Sequence, residues 1–337
     1  MKSFVLPPLS ILYDAVTRTR LSLYRRGTFQ TTTLDRPVIS IGNITTGGTG
    51  KTPLVEWVAR TVATQGKKVC ILTRGYGRKD PHLQVIVSDG YGVLASPAEA
   101  GDEPYLLATN LTGQAAVISS ADRIAAGREA IKDFGTECFV LDDGFQHLRL
   151  ARDLNIVTID ATNPWGGGSL LPYGRLREKR EGLSRADCVV ITRCDQVGSV
   201  EGLREEILRL AGKRPIFESW MRPVRVSVLK NSSETLVPPA RVAAFCAVGN
   251  PNSFFENVKQ MGFEVGLQKA FPDHHVYSQD EIDSLIQDAG AMSLITTAKD
   301  AVKLRTLSFA IPCYVLEIEI AIDNIEEFTR LVVEAAG

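Results

Sequence analysis

The sequence has little of several features that mark specialised classes of protein. With a net charge of −1 and no basic stretch interleaved with aromatic residues, it gives no reason to expect a nucleic-acid partner. Its six cysteines form no C-x-x-C pair and mostly lie in apolar runs, which predicts reduced, buried thiols in a cytosolic protein. Its four histidines lack the spacing of a zinc site. These absences leave a globular chain of 337 residues, 44% hydrophobic, with room for two domains.

The N-terminal segment is apolar but does not read as a membrane span. Two prolines, an aspartate and two arginines interrupt residues 1–24, so the segment falls short of the roughly 18 uninterrupted apolar residues that a span needs. It also lacks the small-residue cleavage site of a secretory signal. On a helical wheel the arginines lie apart from an apolar face that includes Leu9, Leu12 and Val16, which is typical of a helix in a bilayer interface. An amphipathic helix packed on its own domain explains the pattern equally well.

A glycine-rich turn is the most informative motif of the chain. It follows an apolar strand at 38–41, precedes a predicted helix, and reads Thr46-Gly47-Gly48-Thr49-Gly50-Lys51-Thr52. The backbone N–H groups of such a turn can surround a β-phosphate at the positive end of a helix. Lys51 can reach the β- and γ-phosphates, and the Thr52 hydroxyl suits Mg²⁺. We therefore predict a nucleotide-binding loop, although Thr45 stands where the strict pattern has glycine.

A pair of acids follows a second apolar strand. Asp142 and Asp143 come at the end of the run 137–142 and stand directly before Gly144. In an open parallel sheet, ligands bind beyond the carboxyl ends of the strands, so either acid could hold magnesium directly or through water. Two solvated turn residues are the alternative. The glycine-rich loop upstream favours the magnesium role.

Strands and helices alternate along the chain from residue 38 onward. This pattern, with near-continuous apolar strands, predicts an α/β fold: a phosphate-loop-containing, mostly parallel sheet with helices on both faces. After about residue 215 the pattern restarts as a smaller α/β unit. We expect an N-terminal helix over 1–30, a core domain over 31–215 and a C-terminal domain over 216–337 that closes over a cleft holding the site. Predicted strands span 38–42, 68–73, 84–88, 115–119, 137–142, 154–159, 187–192, 242–248, 264–269, 292–296 and 313–318; predicted helices span 52–65, 103–110, 122–133, 252–261, 278–289, 299–306 and 323–336.

Several short motifs follow one another in a fixed order. They are Gly42-Asn43 with the glycine-rich turn and Pro53, Thr73-Arg74-Gly75-Tyr76-Gly77, Gly101-Asp102-Glu103-Pro104, Leu141-Asp142-Asp143-Gly144-Phe145-Gln146-His147, Leu176-Arg177-Glu178, Phe271-Pro272-Asp273-His274-His275 and Lys299-Asp300-Ala301-Val302-Lys303-Leu304. The ordered set, over nearly the full chain, resembles the tetraacyldisaccharide 4′-kinase, or lipid A 4′-kinase, family. The chain departs from that family's pattern at Gly167, Tyr173, Arg175 and Ala298, where Asn, Ala, Pro and Glu are usual.

The resemblance implies an activity and a location. It implies ATP- and Mg²⁺-dependent phosphorylation of the 4′-hydroxyl of a tetraacylated glucosamine disaccharide 1-phosphate, giving lipid IV-A. The implied place is the cytoplasmic face of a Gram-negative inner membrane, where the enzyme would be peripheral or monotopic. The N-terminal segment resembles that family's membrane-associating helix. Neither a nucleic acid nor an obligate protein partner is expected.

The resemblance also implies a catalytic pair. Asp102 is expected to act as the base toward the sugar hydroxyl, although an aspartate just before a helix is also typical of an N-cap. His274 is expected to orient Asp102 or to stabilise the developing charge, with His275 as its competitor. Because Asp102 and His274 belong to different predicted domains, their pairing requires domain closure.

Further residues are expected around the phosphates and the acceptor. Glu178 is predicted to join the metal, with a solvated glutamate as the alternative. Planar guanidinium groups bind phosphate oxygens in a bidentate way, so Arg177 and Arg123 are candidate clamps; an exposed Arg123 on a first helical turn is equally consistent. Arg74 and Arg78, around Tyr76, are predicted to form a basic loop suited to a lipid phosphate, although such loops are more often only solvated. His147 is predicted to face the site. The predicted substrate contacts are Asn43, Arg74, Tyr76, Arg123, Gln146 and Arg177.

The main alternative is a nucleotide-dependent switch or assembly ATPase or GTPase. The divergent phosphate loops of that class carry an extra lysine where this chain has Thr46. Residues 192–195 (Thr-Arg-Cys-Asp) lack the lysine of a guanine-specificity motif. Both differences favour the kinase. A non-catalytic membrane-binding module does not account for the Lys-Thr pair together with the two acids.

Overall fold

The computed structural model describes residues 2–76, 78, 80–229, 240–273 and 275–337, with the side chains of 2–6 left aside. It divides into two compact units: unit 1 runs to Trp220 and also takes Ile322–Gly337, and unit 2 is Met221–Ala321. The strands are β1 (Val38–Asn43), β2 (Val69–Thr73), β3 (Val85–Ser88), β4 (Ala115–Ser119), β5 (Cys138–Asp142), β6 (Leu154–Asp160), β7 (Cys188–Thr192), β8 (Ile216–Val228), β9 (Arg241–Cys246), β10 (Glu264–Ala270), β11 (Ser293–Thr297) and β12 (Cys313–Ile322). The predicted division at 30 and 215 stays a prediction.

Most of the helices connect one strand to the next. They are α1 (Lys2–Arg25), α2 (Lys51–Thr64), α3 (Pro97–Ala100), α4 (Asp102–Asn110), α5 (Arg123–Phe134), α6 (Glu201–Ala211), α7 (Pro251–Gln260), α8 (Gln279–Ala289), α9 (Ala298–Leu304) and α10 (Ile325–Ala336). Local chemistry sets several of their ends. The Asp122 side chain accepts hydrogen bonds from two N–H groups of the first turn of α5, and Gly135 ends that helix with a φ of 64°.

The sheet of unit 1 is mostly parallel. Its strand order is β8-β7-β6-β1-β5-β2-β4-β3, and β3 runs antiparallel to β4. Ile41 of β1 lies opposite Asp142 of β5, and Asn43 lies opposite Thr158 of β6, so the carboxyl ends of these strands meet at one edge. Every residue of β1, β2 and β4–β7 is buried, as a parallel sheet covered on both faces requires. The predicted α/β fold with a mostly parallel sheet is confirmed.

Unit 2 repeats the α/β pattern on a smaller scale. Its strands lie in the order β10-β9-β11-β12, all parallel, and the second half of β8 follows next to β12. Phe245 and Leu294 from the strands pack with Leu285 of α8 in its core. The N-terminus of α8 is fixed by a capping box between Ser278 and Glu281.

The structure contains elements that the sequence patterns did not predict. β8 has mixed burial and includes Pro223, so it lacks a continuous apolar run. α6 is rich in charged residues, yet Leu203, Ile207, Leu210 and Ala211 recur at helical spacing and pack on the core, so this helix was missed despite a periodic signal. The helix α10 was predicted as part of the C-terminal domain but groups with unit 1, because the buried Phe328 packs against Trp57, with ring centroids 5.1 Å apart.

Candidate active site

The predicted phosphate loop connects β1 to the first turn of α2. Gly47 and Gly50 have φ angles of 117° and 74°, which only glycine adopts without strain. The helix begins at Lys51, so the N–H groups of its first turn have no partners within the helix. The positive end of the helix dipole adds to their attraction for an anion. The loop thus has the backbone of an anion-binding turn, and the assignment of nucleotide contacts to single residues stays a prediction.

A neighbouring segment supports the loop where the strict pattern has glycine. Thr45 pairs with Leu176 in an antiparallel bridge, and the Thr46 N–H donates to the Arg175 carbonyl over 2.7 Å. The backbone is therefore held extended at this point, and threonine adopts that conformation without strain. Because the backbone of Arg175 makes the contact, the departure from proline at this position leaves the contact in place.

Asp143 joins two cations from distant parts of the chain. Its Oδ1 lies 3.5 Å from Lys51 Nζ, and its Oδ2 lies 2.6 Å from Arg177 Nη1. Burial raises the pKa of Asp143, but the charges of Lys51 and Arg177 outweigh that effect and hold the pKa below its ordinary value. Its φ of 54° is left-handed, a conformation that costs a non-glycine residue about 1 kcal/mol or more and is concentrated at functional sites.

Asp142 has a different electrostatic environment. Burial, reinforced by the carboxylates of Glu103 and Asp143, raises the pKa of Asp142 to about 6. The Thr73 hydroxyl donates to Asp142 Oδ2 over 2.9 Å, and Arg123 Nη2 donates to the Asp142 backbone carbonyl over 3.0 Å. Arg123 is buried, so the alternative of an exposed arginine is wrong. The influence of Glu103 was not predicted, although this residue stands next to Asp102 in a motif.

Glu178 is buried and paired, so the alternative of a solvated glutamate is wrong. Arg185 contacts both of its carboxylate oxygens, at 3.0 Å and 2.8 Å. Gln146 Nε2 donates to Glu178 Oε1 and to the Asn43 carbonyl, each over 2.8 Å. Gln146 therefore bridges the end of β1 to Glu178. Arg185 lies outside the motifs and was missed, and the roles of Glu178 at a metal and of Gln146 at a substrate stay predictions.

Asn43 supports the phosphate loop from the end of β1. Its Nδ2 donates to Thr49 Oγ1 over 2.8 Å, and that hydroxyl also lies 3.0 Å from Thr158 Oγ1. Asn43 is fully buried, and its Oδ1 has no hydrogen-bond partner within the described part of the chain. A substrate contact by Asn43 stays a prediction.

The predicted catalytic pair is described in part. Asp102 is the first residue of α4 and Gly101 holds the capping position, so Asp102 is not the N-cap. Its role as a base stays a prediction. His274 lies outside the described residues. Its competitor His275 contacts Glu281 through Nε2 at 3.1 Å and stacks on Phe271, with ring centroids 4.9 Å apart.

The predicted basic loop divides into an exposed part and a buried part. Arg74 and Tyr76 are exposed, with the guanidinium carbon 5.4 Å from the ring centroid. Arg78 is buried and donates to the carbonyls of Ser119 and Pro81 over 2.8 Å and 2.6 Å. The prediction that Arg78 is available to a lipid phosphate is therefore wrong, because its guanidinium satisfies backbone carbonyls.

The helix α1 packs on the segment that carries Arg177. Ser10 Oγ donates to the Leu170 carbonyl over 3.0 Å, and the Tyr13 hydroxyl donates to the Arg177 carbonyl over 2.9 Å. These contacts agree with an amphipathic helix that packs on its own domain.

A second strip of α1 remains uncovered. Leu12 and Val16 are 61% and 60% exposed, and Leu9 is exposed on the same face. No helix in the described ranges, α1 included, is both long and apolar enough to cross a membrane. Association of this strip with a membrane surface stays a prediction.

The chain is similar to known proteins over nearly its whole length. The sequence model of the family described as tetraacyldisaccharide-1-P 4′-kinase matches residues 2–336. A tetraacyldisaccharide 4′-kinase of Geobacter metallireducens is 42% identical over 306 residues, which are 89% of this chain and 88% of the relative. One of Desulfotalea psychrophila is 37% identical over 317 residues, 91% and 89% of the two chains. The crystal structure of LpxK from Aquifex aeolicus in complex with ATP matches 98% of both chains with a TM-score of 0.79 and 32% identity.

Proposed function

Because this chain belongs to the tetraacyldisaccharide-1-P 4′-kinase family, we propose that it transfers the γ-phosphate of ATP to the 4′-hydroxyl of a tetraacyldisaccharide 1-phosphate, giving lipid IV-A. The enzyme is an ATP-dependent kinase of lipid A biosynthesis with an alcohol group as acceptor. The observation that carries the residue assignments is the cluster of Lys51, Asp143 and Arg177 beside the phosphate loop. Phosphoryl transfer needs such a cluster because catalysis consists largely of positioning and charge neutralisation.

The phosphate loop and its two cations would hold ATP. The N–H groups of residues 46–52 would bind phosphate oxygens, Lys51 would neutralise charge between the β- and γ-phosphates, and Arg177 would bind phosphate oxygens with its planar guanidinium. Both cations are mostly buried and already directed by Asp143, which supports this assignment. Groups fixed in advance cost little reorganisation when charge develops.

Thr52, Asp142 and Asp143 would hold the magnesium ion. Asp143 Oδ1 is buried and accepts no hydrogen bond within the described residues, although Lys51 lies 3.5 Å away. Mg²⁺ is usually held by one or two protein carboxylates and takes its other ligands from phosphate and water. Mg²⁺ bound there would neutralise charge on the phosphate oxygens. Glu178, also predicted as a ligand, would first have to exchange its contact with Arg185.

Asp102 would act as the base toward the 4′-hydroxyl. A sugar hydroxyl is a very weak acid, so the carboxylate would accept the proton late, as charge develops on the oxygen. Its position supports the role: the adjacent Glu103 acts electrostatically on Asp142, so the start of α4 lies near the acid pair. His274 would orient Asp102 or stabilise the developing charge. This role is based on the motif alone.

The proposed acceptor contacts fall into two groups. Arg74 and Tyr76 are exposed and can meet a lipid headgroup directly. Asn43, Arg123 and Gln146 are each hydrogen-bonded to the ends of β1 or β5 or to the loop, so they would act chiefly by fixing the site.

The lipid acceptor gives α1 a function. The exposed strip that includes Leu12 and Val16 would lie in the bilayer interface at the cytoplasmic face of the inner membrane, with the enzyme bound peripherally or monotopically. The acceptor stays in the bilayer because of its acyl chains, so this placement would bring the site to the level of the headgroups.

One assay tests the activity. Labelled γ-phosphate should move from ATP to a tetraacyldisaccharide 1-phosphate in detergent micelles with the wild type and not with Lys51→Ala. ADP release that requires the lipid acceptor would separate the kinase from a switch or assembly ATPase. Tight ATP binding without any labelled lipid would contradict the kinase assignment.

A further inference from the structure

The end of β7 supplies two hydrogen-bond donors to the phosphate loop. The Thr192 hydroxyl donates to the Thr49 carbonyl over 3.0 Å, and Arg193 Nη2 donates to the Gly48 carbonyl over 2.5 Å. Thr192 is fully buried, and a Cβ on Gly50 would lie 3.3 Å from its methyl group. Two successive side chains thus hold two successive carbonyls of the loop.

Holding these carbonyls also fixes the direction of the N–H groups that follow them. In a trans peptide the C=O and the next N–H point in opposite directions. The Gly48 carbonyl points to Arg193, so the Thr49 N–H points away from it; the Thr49 carbonyl likewise sets the Gly50 N–H. The N–H groups of such a loop are the ones that bind phosphate oxygens.

Arg193 is itself held in place. Its guanidinium pairs with Asp160 at the end of β6, and the second oxygen of that carboxylate accepts from the N–H and the hydroxyl of Thr162. Arg193 has a φ of 59°, a left-handed conformation that is costly for a non-glycine residue and persists only where the surroundings impose it. The backbone conformation of Arg193 and the ion pair of its guanidinium group therefore both fix the orientation of its side chain.

We propose that Arg193 is a positioning residue for the phosphate loop and that, with Thr192, it sets the affinity for nucleotides that carry a β-phosphate. The proposal rests on the assignment of residues 46–52 as the nucleotide-binding loop. It also gives the Thr-Arg-Cys-Asp segment a role other than base recognition, because the Arg193 guanidinium is occupied by Asp160 and Gly48.

The effect of losing this support depends on the ligand. ATP and ADP place their β-phosphate against the loop N–H groups, whereas AMP has no β-phosphate. The position of the loop therefore affects the affinity for ATP and ADP much more than the affinity for AMP. A correctly positioned loop stabilises bound ATP and the transition state equally. Its loss should therefore raise KM for ATP more than it lowers kcat.

The test compares Arg193→Met and Thr192→Val with the wild type, with Arg204→Met as the matched control. Arg204 pairs with Glu218 and donates to the Ile216 carbonyl, so its loss removes a similar ion pair and carbonyl contact away from the loop. Titration calorimetry with ADP, ATP and AMP measures Kd, and lipid phosphorylation measures KM and kcat. We expect Kd for ADP and ATP to rise about tenfold in Arg193→Met, as loss of a charged donor predicts, and severalfold in Thr192→Val, with AMP changed less than about twofold.

Arg193→Lys distinguishes positioning from general support of the fold. A lysine keeps the charge beside Asp160 but lacks the fork that reaches two acceptors, so it should recover part of the ADP affinity. If Arg193→Met does not fold, as its melting temperature will tell, Thr192→Val and Arg193→Lys decide the question. ADP affinities equal to wild type, or equal losses for ADP and AMP, would overturn the proposal. A wild type that binds ADP but phosphorylates no lipid would instead contradict the proposed function and leave this comparison intact.

Discussion

The Tyr13 hydroxyl on α1 donates a hydrogen bond of 2.9 Å to the backbone carbonyl of Arg177. The side chain of the same arginine lies 2.6 Å from Asp143, which also contacts Lys51. Three successive contacts therefore connect the N-terminal helix with Arg177 and Lys51, the cations proposed to bind ATP. The helix that is proposed to meet the membrane also holds part of the active site.

Tyr13→Phe should lower catalytic efficiency with little effect on membrane binding. The ring stays and only the hydroxyl is lost, at a cost of roughly 1 kcal/mol for one hydrogen bond, so kcat/KM should fall about threefold to tenfold. Steady-state transfer to lipid in micelles measures the change. Tyr91→Phe, at a residue that is 85% exposed, is the control. Equal activities of the two variants would mean that the contact does not position Arg177.

Lys51→Ala should abolish most of the transfer activity. Loss of the cation removes charge neutralisation of the γ-phosphate, and removal of one such group typically lowers kcat by about 10²-fold to 10³-fold. Because Arg177 still pairs with Asp143, the melting temperature should change little. Lys132→Ala, at an exposed position, should behave as wild type. Near-normal kcat in Lys51→Ala would remove the basis for the loop assignment.

Asp102→Asn should reduce kcat by about 10²-fold to 10⁴-fold and leave Kd for ATP unchanged, because it removes a general base without removing a phosphate contact. Glu99→Ala is the structural comparison. Glu99 forms the capping box of α3 with Ser96, so this change should cost stability, roughly 1 kcal/mol, while sparing kcat. Loss of stability without loss of kcat in Asp102→Asn would assign Asp102 a structural role.

The strand–loop–helix core was predictable because its signals are local. Apolar runs mark β1 and β5, and glycines mark the turn that begins α2. β8 and the placement of α10 depend on packing between distant segments, which no local pattern contains. The ring of Phe328, for example, lies 4.8 Å from that of Phe217, in an element 111 positions earlier by residue number.

The site was predictable as a set of residue types and less so as a set of contacts. The glycine-rich turn and the acid pair identify Lys51 and Asp143 from the amino-acid sequence alone. The pairing of Arg177 with Asp143 spans 34 residues, and that of Tyr13 with Arg177 spans 164. Arg193 was missed as a supporting residue because its partners, Gly48 and Asp160, come from other elements. Arg185 follows its partner Glu178 by seven residues and was missed because it lies outside the motifs.

The partly buried His147 should make the protein sensitive to acid. Burial, followed by the charges of Arg123, Arg152, Arg149 and Arg20, lowers the pKa of His147 to about 3, whereas the unfolded value is 6.5. Between those values the unfolded state binds the proton and the folded state does not. The contribution of His147 to the free energy of unfolding is therefore fully present above pH 6.5 and declines as pH falls toward 3.

Urea unfolding at a series of pH values measures that decline. Between pH 7 and 4, the free energy of unfolding of the wild type should fall by up to roughly 3 kcal/mol more than that of His147→Gln, after allowance for solvent screening. His82→Gln removes an exposed histidine and should follow the wild-type curve. Parallel curves for all three proteins would show that His147 titrates normally.

Membrane association should depend on the exposed strip of α1 and not on its packed residues. Leu12→Asp with Val16→Asp places charges where the side chains are 61% and 60% exposed, so folding and transfer in detergent micelles should be kept. Co-sedimentation with vesicles that contain anionic lipid should fall at least about tenfold, because charged groups in the interface oppose burial of the helix. Tyr91→Asp is a control for added charge at an exposed site. Since Tyr13→Phe should show the opposite behaviour, with normal sedimentation and weaker transfer, the two variants together separate anchoring from positioning. Unchanged sedimentation of the double variant would mean that α1 does not contact the bilayer.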